Sequence, residues 1–131
     1  CPEKYVAVWS MSGAKDQVKM DELAKARGIM ASNDLIEAAF GPMDQVRGGE
    51  NDLPGLAKKL AESDQPRPMI FHSCGRQDYG MELCREFADY LTSLGLKNEF
   101  YTPDGSHDWY YVDTMIKKAI FEAFPIREVA Y

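Results

Sequence analysis

Apolar positions in this chain fall into short blocks separated by Gly, Pro and Asn/Asp breaks, and the spacing inside the blocks alternates between two kinds. Tyr5-Val6-Ala7-Val8-Trp9-Ser10-Met11 is a β-branched and aromatic run that stops at Ser12-Gly13. It does not alternate cleanly, which predicts a strand buried on both faces. Residues 16–40 have helix-forming composition, with Val18, Met20, Leu23 and Ala24 before a break near Gly28. A second short helix is predicted from a cap at Asn33 through Leu35, Ile36, Ala39 and Phe40 to the stop Gly41-Pro42. Gly48-Gly49-Glu50-Asn51 reads as a loop, and Asn51 or Asp52 can cap the next helix, which carries Leu53, Leu56, Ala57 and Leu60 at helical spacing.

Pro66-Arg67-Pro68 closes that unit, and Met69-Ile70-Phe71-His72-Ser73-Cys74 predicts a second compact strand. From Met81 to Gly95, the residues Cys84, Phe87, Ala88, Leu91 and Leu94 share one helical face, with Gly95 as C-cap. Glu99-Phe100-Tyr101-Thr102 predicts a third strand, ended by Pro103-Asp104-Gly105. Val112, Met115, Ile116, Ala119, Ile120 and Ala123 then form the cleanest amphipathic stripe in the chain. Strands alternating with helices predict a parallel sheet inside a three-layer α/β sandwich. Three strands are few for such a sheet, so further strands are expected beyond the N-terminus. The chain also begins at Cys1 rather than Met, and it is expected to be part of a larger domain.

Composition narrows the function classes. The 131 residues amount to one domain or part of one, at about 100–200 residues per domain. Acidic residues outnumber basic ones 21 to 15 and no basic block exceeds a Lys-Lys pair, which argues against a nucleic-acid partner. No apolar run approaches the roughly 20 residues that cross a bilayer. Cys1, Cys74 and Cys84 have no metal-ligand spacing and make no disulfide framework, so no metal or cofactor is expected and a cytoplasmic setting is the default. No G-x-G-x-x-G or Walker pattern offers a phosphate cradle.

Ligands of open parallel sheets collect at the carboxyl ends of the strands. Two polar loops leave such ends: Cys74-Gly75-Arg76-Gln77-Asp78-Tyr79, and Pro103-Asp104-Gly105-Ser106-His107-Asp108-Trp109. If their strands are neighbours, Asp78 and His107 share a rim, close enough for a carboxylate to orient an imidazole. Each residue also has a plainer reading. Asp78 suits a turn or cap, Asp104 a turn, His72 a packed core histidine, His107 a position before a helix, and Trp109-Tyr110-Tyr111 a packing cluster.

The run Cys1-Pro2-Glu3-Lys4-Tyr5-Val6-Ala7-Val8-Trp9-Ser10-Met11-Ser12-Gly13-Ala14 resembles the segment after the nucleophile helix in α/β-hydrolase esterases of the tributyrin-esterase and esterase D type. Asn51-Asp52-Leu53, Ile70-Phe71-His72-Ser73-Cys74-Gly75-Arg76-Gln77-Asp78 and Gly105-Ser106-His107-Asp108-Trp109 are similar to later landmarks of that family, in the same order. The resemblance implies the C-terminal portion of an α/β-hydrolase fold over residues 1–131. It implies a Ser–His–Asp triad with Asp78 as acid and His107 as base, and it sets Trp109 and Tyr110 beside the base as candidate substrate contacts. Its members cleave short acyl esters, S-formylglutathione, or acyl and feruloyl groups on carbohydrate.

The nucleophile elbow G-x-S-x-G is absent from the 131 residues. Phe71-His72-Ser73-Cys74-Gly75 comes nearest, but Phe stands where the first Gly belongs, and Ser73 reads as structural. The expectation is therefore a serine-esterase fragment that lacks nucleophile and oxyanion hole and is inactive alone. Its partners would be a small ester and the missing N-terminal half of the fold, with self-association left open. A non-catalytic α/β binding or interaction module is the alternative.

Overall fold

The computed structural model of the chain describes residues 2–29 and 33–123. After a single 3-10 turn at Pro2–Lys4, the elements are β1 (Ala7–Met11), α1 (Gln17–Ala26), α2 (Asn33–Phe40), α3 (Met43–Val46), α4 (Leu53–Ala61), β2 (Met69–Ser73), α5 (Met81–Ser93), β3 (Asn98–Tyr101) and α6 (Trp109–Ala123). The side chains of Asn33, the predicted cap, and Ala123, the last position of the predicted stripe, lie outside the described residues.

The three strands form one sheet in the order β1-β2-β3, parallel throughout. Trp9 pairs with Phe71 and Met11 with Ser73, while Phe71 pairs with Glu99 and Ser73 with Tyr101. All three strands therefore end at the same rim. Alternation along β2 then separates two layers. Ile70 and His72 face α4 and α5, where Ala57, Phe87, Leu91 and Leu96 form the buried core cluster. Phe71 and Ser73 face the other side, where Trp9 stacks on Phe71 at 5.0 Å and the Tyr111 hydroxyl meets Ser73.

Local sequence explains the element ends. Asp16 caps α1 by accepting from the Lys19 N–H at 3.0 Å. Arg47 grips the same carboxylate through both oxygens, at 2.7 and 2.8 Å, and reaches Asp52 at 3.3 Å, tying the start of α1 to the start of α4. Asp52 stands at the cap position of α4, and the Gly48 N–H, more than Arg47, holds its carboxyl below the ordinary value. Gly95, at φ +70°, ends α5: its N–H reaches the Thr92 carbonyl while the Leu96 N–H reaches that of Leu91.

Three expectations change. α3, a single turn opened by Pro42, falls where no helix was predicted, being too short to show a period. Strand β1 is not buried on both faces: it pairs only with β2 among the described residues, and Val8 is 46% exposed. Val8 opens onto an apolar groove of about 250 Å³ between α4 and the sheet, lined also by Leu53, Leu56 and Pro68. The stripe of α6 is only half covered, with Met115 buried but Ile116 and Ile120 exposed. Leu94 packs against the core cluster on the same face as Phe87 and Leu91, as its spacing predicts.

His72 is a core histidine, as its strand position suggests. It is buried, stacks on Phe100 at 4.9 Å, and its Nε2 lies 3.1 Å from Asn98 Oδ1. Burial pushes its pKa below the ordinary 6.5. Between the two values the unfolded chain binds more protons than the folded one, so this contribution to stability is present above the unfolded pKa and is lost as pH falls through and below it. The urea midpoint is expected to fall between about pH 7.5 and 5.5, and to fall less steeply in His72→Gln. Equal slopes in the two proteins would contradict this.

Candidate functional site

The loops after β2 and β3 meet at the carboxyl-end rim because the strands are parallel neighbours. Their contact is backbone on backbone. The Arg76 N–H donates to the Pro103 carbonyl at 2.9 Å, and the Gln77 N–H donates to the Gly105 carbonyl at 3.0 Å. The Gln77 side chain returns the bond, its Oε1 accepting from the Gly105 N–H at 2.6 Å. Arg76 adds a bond to the Thr102 carbonyl at 3.1 Å and an exposed ion pair with Asp104. Gly75 and Gly105 make this approach feasible. A Cβ on Gly75 would stand 2.4 Å from the Gly105 carbonyl oxygen, and Gly105 itself has φ +138°.

The stitched loops present Asp78 to His107. Asp78 Oδ1 accepts from the Gly80 N–H at 2.9 Å, and Oδ2 lies 3.1 Å from His107 Nδ1. The first contact is an Asx turn, so the plain reading of Asp78 as a turn residue holds alongside its contact with histidine. The Asp78 side chain is 3% exposed and that of His107 is 64% exposed. With a carboxylate as partner, Nδ1 is assigned as the donor of the neutral ring, whose acceptor is then Nε2. Asp108, next in the chain, caps α6 by accepting from the Tyr111 N–H at 2.9 Å, which fixes the backbone that carries His107.

Trp109 and Tyr110 occupy the first turn of α6, 86% and 78% exposed, so they are not the packing cluster with Tyr111 that their spacing suggested. Tyr111 alone turns inward, with its hydroxyl 2.7 Å from Ser73 Oγ. Ser73 is fully buried, with its hydroxyl taken up by that contact. Gln77 went unnoticed in the sequence, because a glutamine between an arginine and an aspartate gives no signal until the facing loop is known.

No protein-family model matches the chain. Over 118 residues it is 25% identical to an acetyl esterase of Caldicellulosiruptor saccharolyticus, covering 89% of this chain and 44% of the relative. Among solved structures it is similar to the S-formylglutathione hydrolase FrmB of Staphylococcus aureus, with TM-score 0.74 and 28% identity over 89% of this chain and 44% of that one. It is also similar to the fluorophosphonate-binding serine hydrolase FphF of Staphylococcus aureus, with TM-score 0.72, 29% identity and the same two coverages. The chain thus spans less than half the length of the relatives it matches. Its sheet and helices form a partial α/β-hydrolase fold, and the proteins it resembles are esterases and serine hydrolases.

Gly75→Ala tests the loop contact. The added methyl forces the Gly105 carbonyl away, and a cost of about 1–3 kcal/mol is expected from urea unfolding. In ring-nitrogen NMR of the neutral imidazole, wild-type His107 is expected as the Nδ1–H tautomer, with Gly75→Ala shifted toward Nε2–H. An unchanged tautomer in the variant would show that the glycine contact does not hold the pair.

Proposed function

We propose that these residues supply the general base and the orienting carboxylate of a serine esterase, of the tributyrin-esterase and esterase D type, in which they form the C-terminal part of the fold. One observation carries the reading: the 3.1 Å contact between His107 and Asp78 on the strand-end rim of an α/β-hydrolase sheet. In this role His107 Nε2 takes the proton of a serine hydroxyl as the serine attacks the ester carbonyl, then returns it to the leaving alcohol. Asp78 keeps the ring in the required tautomer and stabilises its charged form. The serine and the oxyanion donors belong to the part of the fold outside these 131 residues, where a G-x-S-x-G elbow is expected. The uncovered apolar positions Val8, Leu53 and Leu56 suit a sheet and helix layer that continue past β1.

The substrate class proposed is a small-molecule ester with a short acyl group, in keeping with the acetyl and formyl groups in the names of two relatives. Trp109 and Tyr110 are proposed as contacts for its alcohol portion, on the ground that both are exposed within three residues of the base. No cofactor enters this mechanism.

The test is labelling with a fluorophosphonate, together with hydrolysis of a short-chain chromogenic ester. The 131-residue chain alone is expected to do neither. Joined to an upstream strand and elbow, it is expected to do both, and Asp78→Asn in that protein should lower kcat/KM on the order of 10⁴-fold. Stoichiometric labelling of the 131-residue chain by itself would place the nucleophile within it and overturn the structural reading of Ser73. Full activity in His107→Ala of the longer protein would refute the base assignment.

A further inference from the structure

The groove beside β1 has a charged end that no acidic group among the described residues balances. Val8 and Ser10 lie on one face of β1, opposite Ile70 and His72 of β2. At the Val8 end the groove is apolar, with Leu53 and Leu56 along its wall. At the Ser10 end it is polar, because Lys15 and His72 line it there. Lys15 is only 2% exposed, and its ammonium donates to Ser10 Oγ.

That single bond leaves the cation poorly served. An ammonium carries three N–H donors, and the serine hydroxyl takes one of them. No carboxylate pairs with Lys15 among the described residues. The titratable groups that act on it are the thiols of Cys74 and Cys84, and it acts in turn on the His72 imidazole. Burial pushes the Lys15 pKa below the ordinary 10.5. A buried cation without an anion is costly, and the same cation is tolerated once it is paired and fully hydrogen-bonded. The missing anion has one open direction to come from. β1 is the outermost strand of the sheet among the described residues, so Ser10 and the ammonium it holds stand at the uncovered edge.

We propose that the groove seats an element of the fold upstream of Cys1, and that this element places an Asp or Glu carboxylate on Lys15 across the edge of β1. The inference rests on the reading of these residues as the C-terminal part of a larger fold, in keeping with the 44% of the acetyl esterase and of FrmB that the chain covers. The carboxylate meets the ammonium at the Ser10 end. Aliphatic side chains of the same element cover Val8, Leu53 and Leu56 at the other end, so one surface is apolar along most of its length and anionic at one point.

The test places Lys15→Met, which keeps the length of the side chain without its charge, in the 131-residue chain and in the longer protein. In the short chain the substitution removes an unpaired buried charge, and the urea midpoint is expected to rise. In the longer protein it strands a buried carboxylate, and the midpoint is expected to fall by about 1 M or more. NMR titration of the Lys15 side chain in the unsubstituted proteins gives a second readout that does not depend on the variant folding. The ammonium is expected to lose its proton below pH 10.5 in the short chain and above it in the longer protein. A midpoint that rises in both proteins, or a pKa that stays low in both, would overturn the proposal. A midpoint that falls equally in both would place the partner within the 131 residues and overturn it as well. Ester hydrolysis separates the two readings: a longer protein that cleaves no ester yet shows the reversal would refute the esterase assignment alone.

Discussion

Two glycines facing each other across neighbouring loops govern the rim of this fold. The parallel pairing of β2 with β3 brings both loops to one end of the sheet, but pairing alone sets only their neighbourhood. The final approach depends on Gly75 having no side chain, since any Cβ there would overlap the Gly105 carbonyl oxygen. That approach brings the Gln77 backbone and side chain into reciprocal bonds with Gly105. Asp78, the next residue, is then fixed by its own Asx turn at the height of His107. Precision in the pair thus comes from backbone hydrogen bonds, which are short and directional, and not from the long exposed ion pair of Arg76 and Asp104.

The pair also shows the asymmetry that the proposed acid–base role calls for. Asp78 is enclosed and has both oxygens occupied, so its orientation is settled before anything binds. His107 is open on its far side, where a reacting partner would have to stand. A residue that is held and a residue that is accessible are different structural problems, solved here by a turn and by a helix cap. Asp108 serves the second, since its carboxylate anchors the start of α6 directly after the histidine.

Much of the fold was legible in the sequence because strands and long helices announce themselves by period and by their breakers. The three strands, the face of α5 and its Gly95 stop are all of this kind. What was not legible depends on partners. Whether Val8 or Ile116 is covered follows from what packs beside β1 and α6, and a period reports only that a face is apolar. The single turn α3 is shorter than any period. At the site, Asp78 and His107 could be nominated from their loops, while Gln77 could not, because its role exists only once Gly105 faces it. Cys74 and Cys84 are a sharper instance: ten residues apart without a recognisable spacing, they touch Ser12 and Gly13, neighbours in a turn far earlier in the chain.

The central claim is that Asp78 and His107 act as one unit rather than as two polar residues that happen to touch. A double-mutant cycle measures that most directly. In a protein that carries these residues together with a nucleophile elbow, kcat/KM for a short-chain ester would be determined for Asp78→Asn, His107→Ala and the double variant. If aspartate acts only through the histidine, removing it adds nothing once the histidine is gone, and the double variant should match His107→Ala within about twofold. Losses that multiply, with the double variant falling by the product of the two single effects, would mean that the residues act separately and would contradict the account.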